Sequence, residues 1–529
     1  MPVKILVADD VSDSGLQPLR DARFKVEKRT GLSPEELRNV ISDYDGLIVR
    51  SETKVTAELM NPARNLRVIG RAGVGVDNID VPAATTHGIV VMNAPDGNTI
   101  TTAEHTIALL VALARNVPQA NSSVKAAKWD RKKFIGAELL GKTLGIIGLG
   151  RIGRAVAQRA AALGMKVVAH DPFIATQAGD SDVESVSLDD VFARADFLTI
   201  HTPLTNETRG LIDARAFAKM KAGARVINCA RGGLIDEAAL VAAIESGKIA
   251  GAALDVFEKE PPPPDHPLLQ LDRVIVTPHL GASTAEAQEQ VAFTVAEQMR
   301  DYLLTGALRG AVNMPALGAT ELTTLQPYLL LAESLGRFQA QLVDTAVREV
   351  RLEFAGELVD VDAAPVTRAF LAGLLRDVSA RVNVVNAFLI ADERGLTVTT
   401  SYVRGSTAAS AIRTSVITAS AEQTASGSVF TTAEGYREGR LTRIDGFRIE
   451  AIPRGNMLVM HNRDVPGVIG RVGTILGDAG INISAFHLGR RERGGEAMAI
   501  IEVDAALEAA TFDRLRAFEP VISLRQIEL

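Results

Sequence analysis

The stretch LGIIGLGRIGRAVAQRAAALGMKVVAHD, residues 144–171, sets the fold of this chain. An apolar run leads into GLGRIG, an alanine-rich helical segment follows, and a second apolar run ends at Asp171. Strand, glycine turn, helix, strand and an acid about 20 residues beyond the glycines are typical of a dinucleotide site. Gly148 permits the tight turn, Gly150 lets the backbone approach a pyrophosphate, and Gly153 allows close packing of helix on strand. The helix N-terminus supplies N–H donors and a positive dipole to the phosphates.

The acid at the end of this unit indicates which dinucleotide binds. A carboxylate at Asp171 accepts hydrogen bonds from the adenosine ribose hydroxyls and repels a 2′-phosphate, so we expect NAD rather than NADP. A GxGxxG can also occur by chance in a glycine-rich loop. Here the flanking strands, helix and acid are in register, which favours the cofactor site.

Composition limits the classes of protein that the chain can represent. Its 529 residues are 47% apolar and 23% charged, which predicts three or four globular domains. The net charge of −7 gives no reason to expect nucleic acid or an anionic membrane as a partner. No apolar run approaches the ~18 residues of a membrane helix, and MPVKILVADD lacks the regions of a signal peptide. With Cys229 as the single cysteine, an intramolecular disulfide is excluded, and we expect a cytoplasmic protein.

Apolar runs alternate with helical patterns before residue 144, which predicts a first parallel sheet. Two of these runs are followed by Arg50–Ser51 and by Arg71 with AGVGVD. Ligands of parallel sheets bind beyond the carboxyl ends of the strands, which is where an anionic substrate would meet both arginines. The alternative is that both are solvated surface residues.

After residue 171, four more apolar runs end in polar or glycine-rich loops, which brings Arg231, Glu260 and His279 to one edge of a sheet. A histidine beside a nicotinamide takes the proton of a hydroxyl while hydride leaves the same carbon. A neighbouring carboxylate orients the imidazole and favours its charged form. An arginine pairs with a substrate carboxylate. These three residues compose a 2-hydroxy acid dehydrogenase site, although a histidine after a strand could also simply cap a helix.

Several long motifs support this interpretation. GLGRIG, HTPL, NCARGGLIDE, GAALDVFEKEPP and TPHLGAST resemble motifs of the NAD-dependent D-2-hydroxyacid dehydrogenases. RSETKVTAELM, GRAGVGVDNIDVPAAT and WDRKKFIGAELLGKTLGIIGLGRIGR resemble the members that act on 3-phospho-D-glycerate. The resemblance covers essentially the whole chain. It implies an α/β fold in which a Rossmann-type NAD domain is inserted in a flavodoxin-like substrate domain, followed by an intervening α+β domain and a C-terminal ferredoxin-like βαββαβ ACT domain.

The resemblance also implies roles for individual residues. His279 is the general acid/base, Glu260 supports it, and Arg231 binds the substrate carboxyl and carbonyl. The implied cofactor residues are Gly148, Gly150, Arg151, Ile152, Gly153, Asp171, Thr202, Cys229, Ala230, Asp255, His279, Gly281 and Ala282. The implied substrate residues are Arg50, Ser51, Arg71, Val74, Gly75, Asn98, Arg131 from a neighbouring subunit, Arg231 and His279. Cys229 is then a wall of the pocket and need not be a nucleophile, and no metal is implied.

The resemblance also implies the division into domains. The substrate domain comprises residues 1–97 and 282–315, and the NAD domain comprises 98–281. An intervening domain of 316–452, associated with assembly and anion binding, precedes the ACT domain of 453–529. Within the intervening domain we expect a helix at 320–343, a strand at 346–355 and a loop at 424–428.

The segment from Met457 onward reads as strand, loop, helix, strand, hairpin and strand, as in an ACT domain. Such a module is a small-molecule sensor that pairs across subunits, and the family's effector is L-serine. The resemblance places Asn462, Asp464 and Asn482 at the effector. The alternative is a module that only dimerises.

The resemblance therefore implies NAD-dependent oxidation of 3-phospho-D-glycerate to 3-phosphohydroxypyruvate, at the entry to serine synthesis, by a homo-oligomer that we expect to be a tetramer. One alternative is a dehydrogenase acting on glyoxylate or hydroxypyruvate. Arg50, Arg71 and the ACT-like tail argue against it, because those substrates lack a phosphate. A second alternative is a non-catalytic, NAD-sensing protein, against which the presence of Arg231, Glu260 and His279 together argues.

Overall fold

The computed structural model describes residues 2–173, 183–379, 381–404 and 410–529. Its strands form four sheets of five, seven, six and four strands, which follow one another along the chain. The first two sheets are wholly parallel, and the ends of their strands supply the site residues predicted above.

The first sheet has the strand order β2-β1-β3-β4-β5, which is the flavodoxin-like order. The strands are β1 (Lys4–Val7), β2 (Lys25–Lys28), β3 (Gly46–Val49), β4 (Val68–Arg71) and β5 (Val90–Asn93). The helices between them are α1 (Gln17–Asp21), α2 (Pro34–Val40), α3 (Ala57–Met60) and α4 (Val81–Thr86). Strands β1, β3, β4 and β5 are largely buried apolar runs, as strands covered on both faces require, whereas the edge strand β2 is polar and partly exposed.

The second sheet has the order β12-β11-β10-β9-β6-β7-β8, a doubly wound Rossmann arrangement. Its strands are β6 (Thr143–Ile147), β7 (Lys166–His170), β8 (Val183–Ser185), β9 (Phe197–Ile200), β10 (Ala224–Asn228), β11 (Ile249–Leu254) and β12 (Val274–Val276). Its helices are α5 (Thr99–Arg115), α6 (Val117–Lys125), α7 (Arg151–Ala162), α8 (Leu188–Arg194), α9 (Ala214–Lys219) and α10 (Glu237–Glu245). The strand order reverses at β6, the strand that leads into GLGRIG, and ligands bind at such a switch point.

Helix α11 (Ala285–Thr305) returns the chain to the first sheet. A side chain added at Gly70 of β4 would lie 2.4 Å from both Val295 and Met299 of α11, so helix and sheet are in close contact. Beyond α11, Asn313 accepts a 2.9 Å hydrogen bond from the Val91 N–H of β5. Segments that precede and follow the second sheet in the sequence therefore together build the unit around the first sheet.

The third sheet is mixed, in the order β14-β13-β15-β16-β17-β18. Its strands are β13 (Val347–Ala355), β14 (Thr397–Val403), β15 (Ala411–Thr418), β16 (Glu422–Thr431), β17 (Arg437–Ile444) and β18 (Phe447–Ala451), and its helices are α12 (Ala319–Ala340), α13 (Ala364–Leu374) and α14 (Ala387–Glu393). The predicted loop at 424–428 is wrong, because these residues lie inside β16. Position 427 is glycine because α12 packs closely on this strand, and an added Cβ would lie 2.9 Å from Leu331.

The fourth sheet is antiparallel, in the order β20-β21-β19-β22. It is built from β19 (Asn456–Arg463), α15 (Val468–Asp478), β20 (Ile483–Arg490), β21 (Glu496–Val503), α16 (Ala509–Arg516) and β22 (Val521–Glu528). The predicted βαββαβ order is confirmed. Helix α15 ends where Gly480 adopts a φ of +70°, which an L-residue with a side chain adopts only at a cost.

Candidate active site

His279 and Glu260 form a hydrogen-bonded pair in a loop region beyond β11 and β12. His279 Nδ1 lies 2.8 Å from Glu260 Oε2, and Glu260 Oε1 accepts the Phe257 N–H at 3.0 Å. Burial raises the pKa of the Glu260 carboxyl, but the bonds from His279 and the Phe257 N–H more than offset this, and its pKa lies below its usual value. The carboxylate is thus ionised at neutral pH and holds the ring through Nδ1. Nε2 is left as the nitrogen that can exchange a proton with a substrate.

Arg231 joins the loops of the two parallel sheets. Its Nε donates to Asp77 Oδ2 at 2.8 Å, and one terminal nitrogen donates to the Ala230 carbonyl at 2.6 Å. The other terminal nitrogen lies against the backbone of Gly75, where an added Cβ would be only 1.9 Å away. The guanidinium therefore spans the cleft between the sheets, and it fits because position 75 has no side chain.

Arg50 and Arg71 lie beside Arg231, at the ends of β3 and β4. Arg71 Nε donates to the Arg50 carbonyl at 3.1 Å, and among the described residues its two terminal nitrogens make no hydrogen bond. Burial, followed by the charges of Arg231 and Arg50, lowers the pKa of Arg71 to about 10. A buried cation next to two other cations is stabilised by an anion, so this cluster suits an anionic ligand.

Two acids that the sequence interpretation missed position these cations. Asp9 accepts the backbone N–H groups of Arg50 at 2.6 Å and of Thr53 at 3.1 Å, and so holds the loop that follows β3. Asp77 binds Arg231. The rule that singled out Arg50 and Arg71 could have found Asp9, since it also follows the carboxyl end of a strand.

The glycine turn after β6 fits a dinucleotide. Gly148 has a φ of +92°, and an added Cβ at Gly153 would lie 2.1 Å from the Gly148 carbonyl, so helix and turn require glycine at both positions. A Cβ at Gly150 would meet nothing within 4 Å, which leaves open space at the N-terminus of α7. Asp171 Oδ2 accepts the Leu149 N–H at 2.8 Å and is thereby held next to the turn.

Two buried polar atoms support the same assignment. Asn98 Oδ1 and Thr202 Oγ1 are buried and have no hydrogen-bond partner among the residues that the structure describes. Because buried polar atoms in proteins are nearly always bonded, both atoms fit a ligand that completes them. Arg151, in the first turn of α7, forms an ion pair with Asp96. The residues present fit NAD.

Cys229 and Asp255 directly follow the ends of β10 and β11. Asp255 accepts hydrogen bonds from the Thr277 hydroxyl at 2.6 Å and the Gly281 N–H at 2.8 Å, and it lies 3.2 Å from His105, which the sequence interpretation missed. Burial raises the Asp255 pKa, but these bonds lower it below its usual value. Asp255 therefore fixes the loop that carries His279. Burial raises the pKa of the Cys229 thiol to about 12, so the thiol stays protonated at neutral pH and is a poor nucleophile.

The structure brings most predicted residues to this cleft but leaves others apart. The contacts above unite Arg50, Arg71, Gly75 and Arg231 on one side, and the glycine turn with Asp171 on the other. Ser51, Val74, Ile152, Ala230 and Ala282 are chain neighbours of these groups. Arg131 lies on an exposed 3-10 helix, Arg131–Phe134, and its side chain forms no hydrogen bond or ion pair with any residue that the structure describes.

Two of the three predicted effector residues line one cavity of about 460 Å³ at the N-terminus of α15. Asn462 is buried with Oδ1 unpartnered, and Asp464 accepts from Arg490 and the Gly494 N–H, both at 3.1 Å. Asn482 instead donates to Asp504 at 2.9 Å. Asn462 of β19 pairs with a residue of β21 that also pairs with the last residue of β20. Asn482, in contrast, directly precedes the first residue of β20. Seven strand residues, about 23 Å, separate those two ends.

In the part of the chain that the structure describes, no helix has the length and apolar character needed to cross a membrane. Among the same residues, no group of three or more His, Cys, Asp or Glu side chains is arranged to hold a metal ion.

Comparison with known proteins agrees with this geometry. The chain matches the family models for the D-isomer specific 2-hydroxyacid dehydrogenase NAD binding domain at residues 107–281, the D-3-phosphoglycerate dehydrogenase intervening domain at 324–444 and the ACT domain at 456–520. Two parallel sheets with Arg231, Glu260 and His279 between them, together with these matches, define an NAD-dependent dehydrogenase of the 2-hydroxyacid class. The predicted fold class and the predicted cofactor, NAD, are confirmed.

Full-length relatives identify the family within this class of dehydrogenases. The chain is 43% identical to D-3-phosphoglycerate dehydrogenase of Archaeoglobus fulgidus, over 100% of both chains. It is 44% identical to the Bacillus subtilis enzyme of the same name, over 99% of both. A solved glyoxylate reductase from Paecilomyes thermophila is 31% identical, with a TM-score of 0.55, and the match covers 59% of this chain and 98% of that one. The chain belongs to the D-3-phosphoglycerate dehydrogenase family.

Proposed function

We propose that this protein oxidises 3-phospho-D-glycerate to 3-phosphohydroxypyruvate with NAD, the first step of phosphorylated L-serine biosynthesis. The observation that carries the proposal is the cation cluster of Arg50, Arg71 and Arg231 beside the His279–Glu260 pair. A substrate with both a carboxylate and a phosphate supplies two anions to this cluster, whereas glyoxylate and hydroxypyruvate supply one. The activity named for the full-length relatives supports the same substrate.

In this proposal three side chains share the work of the reaction. Arg231 binds the substrate carboxylate, with the backbone amides at Val74 and Gly75 next to it. His279 Nε2 takes the proton of the C2 hydroxyl as the C–O bond becomes a carbonyl, and Glu260 stabilises the resulting imidazolium through Nδ1. NAD held at the glycine turn and Asp171 would supply the acceptor for the hydride that leaves C2, so that both electrons and the proton are accounted for. In the reverse direction His279 returns the proton to the developing alkoxide.

The phosphate binds to Arg50, Ser51 and Arg71 in this proposal. Arg71 carries two terminal nitrogens without a hydrogen bond among the described residues, and phosphate oxygens satisfy such donors in pairs. Asn98 lies at the start of α5, and its buried oxygen has no hydrogen-bond partner among the described residues, so we assign that oxygen to a bound ligand. Arg131 completes the phosphate site from a neighbouring subunit.

A second copy of the chain is supported by an apolar surface on the NAD unit, formed by Val117, Val124, Trp129 and Ile135. Their side chains are 50%, 52%, 75% and 81% exposed, in one stretch of chain. Exposed apolar patches of this kind mark protein interfaces. Arg131 lies within the stretch, which is consistent with its reaching a partner's cleft. We propose a homotetramer that uses this surface and the ACT domains, with the domain division given from the sequence, in the cytoplasm.

L-Serine is the proposed effector. Asn462 Oδ1 is buried and unpartnered next to Asp464, in a cavity where the first N–H groups of α15 are also available. An amino acid carboxylate and ammonium would pair with these groups. Asn482 reaches such a site only from a second copy, because its own chain holds it at the other end of β20.

The test is NADH formation with 3-phospho-D-glycerate, with and without L-serine. We expect turnover that serine suppresses in the wild type and that serine leaves unchanged in Asn462→Ala. Turnover that serine does not suppress would indicate that the ACT domain serves only in assembly. Preference for hydroxypyruvate would favour the other dehydrogenases, and NAD binding without turnover would favour the non-catalytic alternative.

Arg71→Met tests the phosphate assignment directly. Because a hydrogen bond to a charged group contributes roughly 1.5–3 kcal/mol, we expect a rise in KM for 3-phospho-D-glycerate of about tenfold or more. KM for hydroxypyruvate, measured in the reverse direction, should change little. Arg64→Met, at an exposed arginine of the same unit, is the matched control and should alter neither value. An equal effect of Arg71→Met on both substrates would contradict the assignment.

A further inference from the structure

A second histidine–carboxylate pair lies on the other side of the loop that carries Glu260. Glu237, in the first turn of α10, has one carboxylate oxygen 3.0 Å from His266 Nε2. Its other oxygen accepts the Glu258 backbone N–H at 2.7 Å. Both side chains are largely buried, with exposed fractions of 17% for Glu237 and 16% for His266. A single carboxylate thus ties together two points of the 257–268 loop.

The protonation of His266 is set by its other nitrogen. Nδ1 accepts the Leu268 N–H at 3.3 Å, so the ring proton is on Nε2 and is donated to Glu237. The ring also packs edge-on against Phe257, with centroids 5.7 Å apart and planes at 77°. These contacts fix the loop on both sides of Glu260.

The anchored peptide is directly adjacent to the one that holds the catalytic carboxylate. Glu260 Oε1 binds the Phe257 N–H, and the next N–H along the chain, that of Glu258, binds Glu237. The Phe257 carbonyl in turn packs on Gly232, where an added Cβ would lie 1.8 Å from the carbonyl oxygen. Gly232 follows Arg231. A shift of the 257–258 backbone therefore moves the Glu260 support of His279 and presses on the loop of Arg231.

From this geometry we infer that Glu237 is a positioning residue for the dehydrogenase reaction, acting with His266 through the Phe257–Glu258 peptide to hold Glu260 on His279. Among the described residues its carboxylate bonds to His266 and the Glu258 N–H, and to neither His279 nor Arg231. Its removal leaves the binding groups in place but loosens the carboxylate that stabilises the imidazolium. The inference deepens the proposed function, and it rests on that function for the reaction but not for the identity of the substrate.

The test is a double-mutant cycle of Glu237→Ala and Glu260→Ala in the full-length protein. Because misplacement of a reacting group by about 1 Å can cost up to 100-fold, we expect Glu237→Ala to lower kcat about tenfold, with KM and the NAD dissociation constant little changed. In the Glu260→Ala background there is no carboxylate to position. Glu237→Ala should then lower kcat by less than about twofold.

Further variants separate positioning from folding. Glu237→Gln retains an oxygen for the Glu258 N–H and should recover part of kcat, and it takes the place of the alanine variant in the cycle if that variant fails to fold. Glu245→Gln, at an exposed acid at the other end of α10, is the matched control and should leave kcat unchanged. An equal loss of kcat in both Glu260 backgrounds, or no loss in the wild-type background, would overturn the inference.

The cycle is run with 3-phospho-D-glycerate and NAD, and in parallel with hydroxypyruvate and NADH. Turnover of hydroxypyruvate alone would refute the proposed substrate, while the coupling between Glu237 and Glu260 would still be measured. Turnover of 3-phospho-D-glycerate with additive losses would refute the positioning role alone. The two failures are therefore distinguishable.

Discussion

Gly75→Ala tests the position of the Arg231 guanidinium without replacing any of the charged groups of the site. The added Cβ would lie 1.9 Å from one terminal nitrogen of Arg231, 2.9 Å from its Cζ and 2.8 Å from Asp77 Oδ2. Gly75 does not have a positive φ, so alanine brings no backbone strain. The clash is with the end of a long side chain, which can move. We therefore expect the free energy of unfolding to change by less than about 1 kcal/mol.

The cost to catalysis follows from the displacement. Non-bonded heavy atoms make their best contact at about 3.5 Å, so the terminal nitrogen must retreat by about 1.5 Å. Since a displacement of about 1 Å at a reacting centre can cost about 100-fold, we expect kcat/KM to fall by about that factor. NAD binding should be unchanged, because the turn that holds the cofactor is on the other sheet unit.

The assay is steady-state NADH formation, with NAD affinity from fluorescence titration and stability from urea unfolding. Gly477→Ala is the matched control, because a Cβ there meets no atom within 4 Å and Gly477 also lacks a positive φ. It should leave kcat/KM unchanged. A Gly75→Ala enzyme with kcat/KM within threefold of wild type (about 0.7 kcal/mol) would refute the placement of Arg231 as the carboxylate ligand.

Three further predictions concern single groups of the site. His279→Asn should lower kcat by about 10²–10⁴-fold, the usual contribution of a general base, with NAD affinity retained in the same titration; substantial residual kcat would remove His279 from that role. Because burial raises the pKa of Cys229 to about 12, iodoacetamide at pH 8 should label it only after unfolding, and fast labelling of the native protein in mass spectra would contradict its burial. Arg71, with its pKa lowered to about 10, is a cation below that pH and loses its charge above it. KM for 3-phospho-D-glycerate should therefore rise as the pH passes about 10, and a flat profile up to pH 10.5 would contradict the lowered pKa of Arg71.

The glycine turn of the cofactor site could be predicted from the sequence because the glycines, the helix N-terminus and Asp171 lie within the 28 consecutive residues 144–171. A turn, a helix N-terminus and an acid at the end of the next strand are encoded by local spacing, and the structure places Gly148, Gly150 and Asp171 together as that spacing requires. The predicted loop at 424–428 is wrong because the structure of this segment depends on residues far away in the sequence. The packing of α12 on β16 requires glycine at position 427, and local composition does not reveal this packing.

The sequence by itself determined the alternation of strands and helices, the NAD turn, and the presence of Arg231, Glu260 and His279 at strand ends. Only the tertiary structure placed Arg231 against Gly75 and Asp77, which is 154 positions away, and Glu237 behind Glu260. It also separated Asn482 from Asn462. Hydrogen-bonded turns and strand ends follow from neighbouring residues, whereas contacts across a cleft depend on how two sheets pack, and that packing is decided by the buried residues of the whole chain.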